Sequence, residues 1–574
     1  MKNLDRGNVR PGWYVLSCLL AVFTYFYALD SLHAPKNGDE GVYAHITRLT
    51  AASGELLPLQ SRLDNMRNTK PPLLIWQGIS STHWGKDWTL CNLRYPSVLY
   101  SLLTATLLFM LGRKLSGNIE TGFIAALTWL AFFTTYRYGR PFLTNPPEVF
   151  WLFLPFFTLL YWREAFASRL MVPLMFGVSI GIGFLYKSFA LALPMTLALA
   201  GWYLHHSRYR FVPCLKQDAY KVAIAITVAL GLFALWFVLD PDPSSVWKEF
   251  VLGENAGKFD PHGPGYLQKL LWGGSSIWSY SLAFLTNAGL LTFPVVALCF
   301  VLFRRRRELG DDEKLLLLLV VAFFISFALP SQRSGRYMLD AMPAVALLCA
   351  LNWQRIARWA FIATFLFAVL LVAGLAYLAS RLQDEMNGLY SFQFWLLFTV
   401  TIVLALLGIV MPRLTRPLVN AVALLVLMCL ASFLRPFDGK QGTYSTETQQ
   451  AVHGRDVWVP CNFRAGYEQQ RFLLPGAEVH GYHEDLHLSA SGLAQRFPLF
   501  AMQVPLGQAI NGGCEDCKVV GQRLDIRGRQ TNAELKEMLL GGKVYENLFI
   551  REVLMASPGI KQDLPPLTPA QECR

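Results

Sequence analysis

The sequence predicts a polytopic α-helical membrane protein that ends in a small α/β domain. Of its 574 residues, 53% are hydrophobic and only 16% are charged, whereas soluble domains average about 25% charged residues. Long apolar segments recur up to residue 434, and beyond residue 440 short apolar runs alternate with Gly, Gln, His and charged residues. The net charge of +12 lies mostly in short tracts between apolar segments, which indicates topology signals rather than nucleic-acid binding.

A helix needs roughly 17 to 25 residues to cross a bilayer, and thirteen apolar segments come near or within that length. They lie near 13–29, 95–112, 121–136, 148–162, 170–186, 188–204, 222–239, 279–303, 314–330, 337–352, 357–379, 392–411 and 417–434. Basic residues concentrate in alternate loops, such as Arg113 with Lys114, so these loops are predicted to be cytoplasmic. The N-terminus is then cytoplasmic, the first helix is a signal anchor, and the region after Leu434 lies outside.

Two regions follow from this pattern. Residues 1–438 are predicted to form a transmembrane domain with outer loops 30–94 and 240–278, and residues 439–574 a soluble outer domain. Strand-like runs at 457–459, 497–502 and 548–550, with a helical stretch at 532–540, are typical of an α/β domain.

Four cysteines lie in the predicted outer domain: Cys461, Cys514, Cys517 and Cys573. The spacing of Cys514 and Cys517 fits a redox motif or half of a zinc site, but no second pair has metal spacing. We therefore expect a structural disulfide that involves some of the four.

The first outer loop begins with an acidic pair, Asp39 and Glu40. Carboxylates at a membrane surface are costly unless they face a solvent-filled cavity or have a function, so this pair is the first candidate for chemistry. Cations on the same predicted face break the positive-inside pattern, and they are Lys70, Arg137, Arg140, Lys187, Lys258, Arg333 and Arg336. Each alone fits snorkelling to lipid head groups or pairing with an acid, but together they suit a lipid-linked phosphate or pyrophosphate.

Lys70 stands directly before Pro71 and Pro72, which can begin a helix. A lysine near the positive N-terminal end of a helix favours a bound anion, although an exposed lysine at a helix start is the simpler alternative.

Five short motifs along the chain resemble those of the GT-C membrane glycosyltransferases. They are Asp39-Glu40, the Lys-Pro-Pro-Leu turn at 70–73, Thr-Asn-Pro-Pro-Glu at 144–148, Glu-Asn-Ala-Gly-Lys-Phe at 254–259, and Arg-Tyr-Met-Leu-Asp-Ala-Met-Pro at 336–343. The resemblance covers nearly the whole chain and is to the branch that includes protein O-mannosyltransferases and the bacterial aminoarabinose transferases of lipid A.

The resemblance implies a role for individual residues. Asp39 would be the general base for the acceptor hydroxyl, and Glu40 would orient it or bind a cation. The donor phosphate would be held by Lys70, Lys258, Arg336 and Tyr337, with Arg137 and Arg140 as further cations on that face.

The chain departs from the family pattern at two of these motifs. Thr69 stands where relatives often have an acid, and Asn145 replaces an aspartate before Pro146. Glu148 is a candidate to replace the missing second carboxylate, or it simply favours a helix start. No His, Cys or carboxylate cluster has metal spacing, so no cofactor is assigned and a requirement for a divalent metal ion stays open.

These features predict an inverting glycosyltransferase of the bacterial inner membrane. It would transfer a sugar from polyprenyl (undecaprenyl) phosphate to an envelope acceptor such as lipid A or lipopolysaccharide, and one carboxylate base suffices for direct displacement. Three alternatives are a protein O-glycosyltransferase of the same family, a transporter or flippase of lipid-linked sugars, and a ligand-binding or assembly protein that uses the domain after residue 440. A transporter would show internal repeats and polar residues near span centres, and neither is clear in the sequence.

Overall fold

The structure is a computed structural model that describes residues 11–559 except 36–37, 64, 259–264, 440, 462–464 and 529. The part before residue 435 is mainly α-helical. Its α-helices are α1 Pro11–Phe26, α2 Gly38–Ser53, α3 Leu73–Ser81, α4 Leu90–Ser116, α5 Ile119–Ala131, α6 Phe133–Gly139, α7 Asn145–Tyr161, α8 Met171–Tyr186, α9 Ala192–His206, α10 Phe211–Gln217, α11 Ala219–Leu239, α12 Pro243–Ser245, α13 Tyr266–Leu271, α14 Ile277–Thr286, α15 Thr292–Arg304, α16 Asp311–Ala328, α17 Met342–Leu351, α18 Arg358–Glu385, α19 Phe392–Val410 and α20 Pro412–Leu434. A π-helix, Val246–Asn255, precedes α13, and a 3-10 helix, Gly335–Ala341, precedes α17.

Five helices in the described part of the chain are long and apolar enough to cross a membrane. They are α4, α11, α18, α19 and the segment Pro412–Asp438, which contains α20. A sixth span results if α14 and the segment Gly289–Arg304 are counted together. A helix lies in each of the thirteen segments predicted from hydropathy, which confirms a polytopic helical membrane protein, whereas the number of thirteen spans stays a prediction.

The predicted segment 279–303 is wrong as one continuous helix, because α14 and Gly289–Arg304 bend by 108°. Two hydrogen bonds of Asn287 stabilise the bend. Its side-chain amide donates to the Gly335 carbonyl at 2.7 Å, and its main-chain carbonyl accepts from the Thr134 hydroxyl at 2.9 Å. Gly289 has a φ of +61°, and a Cβ there would clash with Phe133. The bend therefore ties the 3-10 helix Gly335–Ala341 to α6.

The C-terminal part forms a mixed five-stranded sheet. Its strands are β1 Asp456–Cys461, β2 Glu478–His483, β3 Leu499–Val504, β4 Lys518–Ile526 and β5 Phe549–Ala556, and its helices are α21 Thr446–Val452, α22 Gln470–Leu473, α23 Ala490–Ala494, α24 Asn532–Leu540 and α25 Val544–Leu548. The strand order is β2-β1-β3-β5-β4, with β1 parallel to β2 and β3, and β5 antiparallel to β3 and β4. The small α/β fold is confirmed, while the boundary at 438/439 and the outer location stay predictions.

One predicted feature of this sheet region is a disulfide. Cys514 and Cys517 form a disulfide bond, and Cys461 is disulfide-bonded as well. Cys573 lies outside the described residues. A structural disulfide among the tail cysteines is therefore confirmed.

A buried carboxylate fastens the C-terminal domain to α2. Glu468 lies 2.6 Å from His45 Nδ1 and accepts hydrogen bonds from Arg48 Nη2 at 2.8 Å and Arg471 Nε at 3.1 Å. Burial alone would raise the pKa of Glu468, but these hydrogen bonds and positive charges lower it below the usual glutamate range. The helix that begins beside Asp39 is thus held from its middle by the C-terminal domain.

Candidate active site

A cavity of about 260 Å³ lies where several chain segments meet. The first turn of α2, the turn before α3, the π-helix Val246–Asn255 and the 3-10 helix Gly335–Ala341 each contribute to its wall. The predicted residues Asp39, Lys70, Arg336 and Tyr337 all line it. Side chains far apart in the sequence therefore converge on one solvent-accessible space.

This cavity is not chosen as the candidate active site because of its volume. Other cavities of about 580, 620 and 690 Å³ lie elsewhere in the described chain. One is an apolar groove along α9 and α11, one is lined by Arg163, His205 and Asp311, and one borders β4. None is lined by the candidate residues of the five motifs, so the convergence of those residues identifies the candidate active site.

Asp39 and Arg336 form the central ion pair of the cavity. Arg336 Nη1 donates to Asp39 Oδ2 at 2.6 Å, and Arg336 Nε donates to Asn145 Oδ1 at 2.9 Å. The side chain of Asp39 is 49% exposed and lies in the first turn of α2, at the positive end of the helix dipole. The carboxylate is therefore reachable from the cavity and held next to a guanidinium.

Two rings border this ion pair. The guanidinium of Arg336 lies 4.9 Å from the centre of the Tyr138 ring, a distance at which a cation is attracted by an aromatic face. Tyr43 also lines the cavity. Burial, together with the negative charge of Asp39, raises the pKa of Tyr43, so its hydroxyl stays neutral near pH 7.

Lys70 and Glu254 form the second ion pair that lines the cavity. As the two prolines predict, α3 begins directly after Pro72. This places the Lys70 ammonium just before the positive end of α3, where an anion is favoured. Glu254, from the π-helix Val246–Asn255, supplies a negative charge at that point.

A third cation, Lys187, lines the cavity and is anchored from behind. Its Nζ lies 2.8 Å from Glu148 Oε1, and Asn145 Nδ2 donates to Glu148 Oε2 at 3.3 Å. Glu148 is fully buried and does not line the cavity. Through Asn145 and Arg336 the chain of contacts continues to Asp39, so Glu148 supports the cavity cations from the protein interior.

Glu40 points away from the cavity. Its carboxylate accepts hydrogen bonds from Arg94 Nε at 2.6 Å and Nη2 at 2.7 Å, and from the Phe142 N–H at 2.8 Å. Arg94 also donates to the carbonyls of Leu29 and Ser31. Both members of the pair are buried, so Glu40 joins α2 to α4 and to the loop after α1, and it does not contact the cavity that Asp39 lines.

The predicted phosphate-binding residues Arg137 and Arg140 are also absent from the cavity wall. Arg137 is exposed, and its guanidinium lies 5.4 Å from the centre of the Tyr138 ring. Arg140 is buried and donates to the carbonyls of Tyr25 and Ala34 at 3.0 and 3.2 Å. Arg140 therefore satisfies main-chain carbonyls in the last turn of α1 and in the loop after it, where helical partners for these carbonyls are missing.

Lys258 ends a short 3-10 helix, Ala256–Lys258, and its side chain lies outside the described residues. Its predicted contact with the donor phosphate stays a prediction.

The described residues include one group of side chains close enough to share a metal ion: Asp456, Glu478 and His480. This group lies on β1 and β2 and is not part of the cavity wall. His480 Nε2 already lies 2.7 Å from Asp456 Oδ1.

Sequence reasoning singled out Lys187 as a misplaced cation but did not assign it to the site, and it assigned no role to Glu254. The signals were a lysine at the outer end of a predicted span and an acid inside a quoted motif. Ser188 and Asn255 meet at 2.6 Å on the same wall, a contact that no local pattern indicates.

The helical architecture and the cavity define a membrane protein of the GT-C fold. The chain superposes on the crystal structure of ArnT from Cupriavidus metallidurans bound to undecaprenyl phosphate with a TM-score of 0.61, at 17% identity, over 96% of this chain and 98% of that chain. The apo structure of the same protein gives a TM-score of 0.58 at 16% identity. A family model described as dolichyl-phosphate-mannose-protein mannosyltransferase matches residues 69–237.

Sequence relatives indicate the branch. Residues of this chain are 29% identical over 191 positions to an undecaprenyl phosphate-alpha-4-amino-4-deoxy-L-arabinose arabinosyl transferase of Proteus mirabilis, covering 32% of this chain and 34% of that protein. A protein of the same description from Edwardsiella ictaluri is 26% identical over 254 residues, covering 43% and 44%. The matches span about a third to less than half of these curated relatives. The resemblance to aminoarabinose transferase-like GT-C membrane proteins is confirmed.

Proposed function

We propose that this protein is an inverting glycosyltransferase that uses a polyprenyl phosphate sugar as donor. The observation that carries the proposal is the cavity in which the Asp39 carboxylate lies among the cations Lys70, Lys187 and Arg336. Transfer from a phosphate-linked sugar needs one group that takes a proton from the acceptor and positive charges that stabilise the departing phosphate. The cavity brings both together.

The reaction follows from these positions. Asp39 accepts the proton of the acceptor hydroxyl, whose oxygen forms a bond to the anomeric carbon as the bond from that carbon to the phosphate oxygen breaks. The electron pair of the broken bond stays with the phosphate, which leaves as polyprenyl phosphate between Lys70 and Arg336. Attack from the side opposite the phosphate inverts the anomeric carbon, and no second carboxylate is required.

Without a donor, each of the two cations proposed to bind phosphate forms an ion pair with a carboxylate. Arg336 is paired with Asp39, and Lys70 with Glu254. A donor phosphate would take over both cations, because its several charged oxygens can accept hydrogen bonds from Lys70 and Arg336 together. The exchange would separate Asp39 from Arg336, so donor binding would precede deprotonation.

The names of the relatives suggest the donor. Their descriptions name undecaprenyl phosphate-linked 4-amino-4-deoxy-L-arabinose, which we take as the first donor to test, with lipid A or lipopolysaccharide as acceptor. The matching family model is described by protein mannosyl transfer, so a hydroxyl-bearing protein segment is the second acceptor. We place the protein in the bacterial inner membrane, with the N-terminus cytoplasmic and the C-terminal domain periplasmic, because basic residues mark the alternate loops.

A transfer assay tests the role of Asp39. Purified protein is incubated with undecaprenyl phosphate-linked aminoarabinose and either lipid A or a serine- and threonine-containing peptide. We expect Asp39→Asn to lower kcat by about 10²- to 10⁴-fold, the usual contribution of a general base. Asp87→Asn is the matched control, because Asp87 is an exposed aspartate of the same outer loop that does not line the cavity.

Retained transfer by Asp39→Asn would remove Asp39 as the base. Failure of the wild-type protein to transfer any lipid-linked sugar that it binds would instead favour a transporter or flippase.

A binding experiment tests the exchange of partners separately from chemistry. Undecaprenyl phosphate is titrated into the detergent-solubilised protein. Removing a competing carboxylate from a partly exposed ion pair is worth up to about 1 kcal/mol, so Asp39→Asn and Glu254→Gln should each bind about two- to fivefold more tightly. Lys70→Met should bind more weakly, and Glu55→Gln, at an exposed glutamate of the same loop, should bind as wild type. Weaker binding by Glu254→Gln would contradict the exchange.

A further inference from the structure

The C-terminal domain has an apolar helix face that no described part of the chain covers. Met538 of helix α24 is buried, in a hydrophobic cluster that also contains Leu524, Phe549 and Leu382 of α18. Leu535, Leu539 and Leu540 are 42%, 58% and 78% exposed. Leu535 and Leu539 are four residues apart and share one face of the helix, and Leu540 extends that apolar surface at its C-terminal end.

This face lies beside a membrane span. The Tyr377 hydroxyl of α18 donates to the Leu539 carbonyl at 3.3 Å. Just beyond α24, Gly542 packs against the Arg381 guanidinium, so a Cβ at this position would displace that side chain. The C-terminal end of α24 is therefore fixed against the outer end of α18 and not held free of it.

The contact falls on the lipid-facing stripe of α18. Leu366, Leu370 and Tyr377 are exposed at 57%, 66% and 39%, and their spacing of four and seven residues places them on one face of the helix. Helix α18 is one of the five helices long and apolar enough to span a membrane. The exposed leucines of α24 thus continue a surface that acyl chains must cover.

The depth also fits a bilayer surface. Tyr377 lies eight residues before the end of α18 at Glu385, which is about 12 Å along the helix axis. The apolar stretch of this span ends near residue 379, so Leu539 stands level with its last apolar turn. Exposed Lys536 and Lys543 flank the leucines, and Lys543 Nζ lies 4.0 Å from Glu537 Oε2. Lysines beside an apolar surface can keep their charged groups at the level of the lipid head groups.

We propose that α24 anchors the C-terminal domain in the membrane interface, with Leu535, Leu539 and Leu540 inserted among the lipids that surround the outer end of α18. The partner is the lipid bilayer itself. This anchor would hold the C-terminal domain, and through Glu468 the helix α2, at a fixed height above the spans.

Spin labelling of the full chain in lipid nanodiscs tests the proposal. The exposed free cysteines are first replaced, as Cys91→Ser and Cys299→Ala. A nitroxide is then attached at Leu539→Cys in this variant. The signal of the same variant without Leu539→Cys is subtracted. Collisions with oxygen, which concentrates in lipid, are compared with collisions with a water-soluble nickel complex. Ile510→Cys is the matched control, because Ile510 is a 41% exposed apolar residue of the same domain.

We expect oxygen collisions to dominate at position 539 and nickel collisions to dominate at position 510. Nickel-dominated collisions at 539 would overturn the proposal, because the face would then lie in water. Low collision rates with both reagents would overturn it too, since protein, either the residues beyond 559 or a second copy, would then cover the face. Leu535→Cys gives the same readout if the label at 539 disturbs folding.

Discussion

Replacing Glu40 by glutamine separates a supporting role from a chemical one. Glu40→Gln keeps the size of the side chain but removes the charge that Arg94 contacts at 2.6 and 2.7 Å. Its amide group would also face a guanidinium N–H, so two donors would meet. Because both residues are buried, an uncompensated arginine would remain in the interior.

The expected size of the effect follows from that burial. Breaking one side of a buried ion pair costs about 3–5 kcal/mol, and at roughly 2 °C per kcal/mol for a large chain the melting temperature should fall by about 6–10 °C. Glu40 adjoins Asp39 in the first turn of α2. A displacement of about 1 Å in a reacting group costs about 10²-fold, so transfer should fall by up to that factor.

Thermal unfolding in detergent and the transfer assay are measured on the same preparations. Glu55→Gln serves as the control, because Glu55 is exposed in the same outer loop. Adding Arg94→Gln to Glu40→Gln removes the uncompensated charge and should recover part of the melting temperature, which a double-mutant cycle measures. An unchanged melting temperature with a loss of transfer as large as that of Asp39→Asn would refute the reasoning and assign Glu40 to the chemistry.

Three further predictions concern other parts of the chain. Arg336→Lys loses the second hydrogen bond of the guanidinium, so kcat/KM in the transfer assay should fall by about 10- to 100-fold, since hydrogen bonds to charged groups are worth about 1.5–3 kcal/mol; unchanged kcat/KM would count against a phosphate contact. Because the pKa of Glu468 is lowered, its contribution to stability is present above about pH 4.5 and is lost as the pH falls below that value. Glu468→Gln should therefore lower the melting temperature at pH 7 and make it decline less steeply in acid. A variant whose melting temperature declines in acid as that of the wild type does would contradict the role of Glu468. Replacing Cys514 and Cys517 by serine opens a short disulfide loop and should lower the free energy of unfolding of the C-terminal domain by about 2 kcal/mol. Urea unfolding of that domain measures the change. An unfolding curve like that of the wild type would show that other contacts stabilise the loop.

The local signals in the sequence located much of the candidate active site. Lys70 and Arg336 are cations that break the positive-inside pattern, and the resemblance to the GT-C glycosyltransferases assigns them and Tyr337 to the donor phosphate. All three positions line the cavity with Asp39. The prolines after Lys70 fix where α3 begins, so the local sequence was enough to place Lys70 at the start of a helix.

The direction of each side chain was not readable in the same way. Asp39 and Glu40 are neighbours, but successive residues in a helix point about 100° apart, so one meets the cavity and the other meets Arg94. Arg140 had the right charge and the right predicted side of the membrane, but main-chain carbonyls after α1 take up its donors. Charge in a sequence indicates that a partner is needed, and only packing decides which partner it is.

Hydropathy and turn composition are enough to predict a polytopic helical membrane protein followed by a small α/β domain, because both act over short stretches of chain. Which charges meet depends on the packing of distant segments. Arg336 reaches Asp39 across 297 residues and Lys70 reaches Glu254 across 184, because electrostatic attraction depends on distances that the packing of helices sets. The bend at Asn287 and the lipid-level position of α24 arise in the same way, from contacts between segments that no local pattern records.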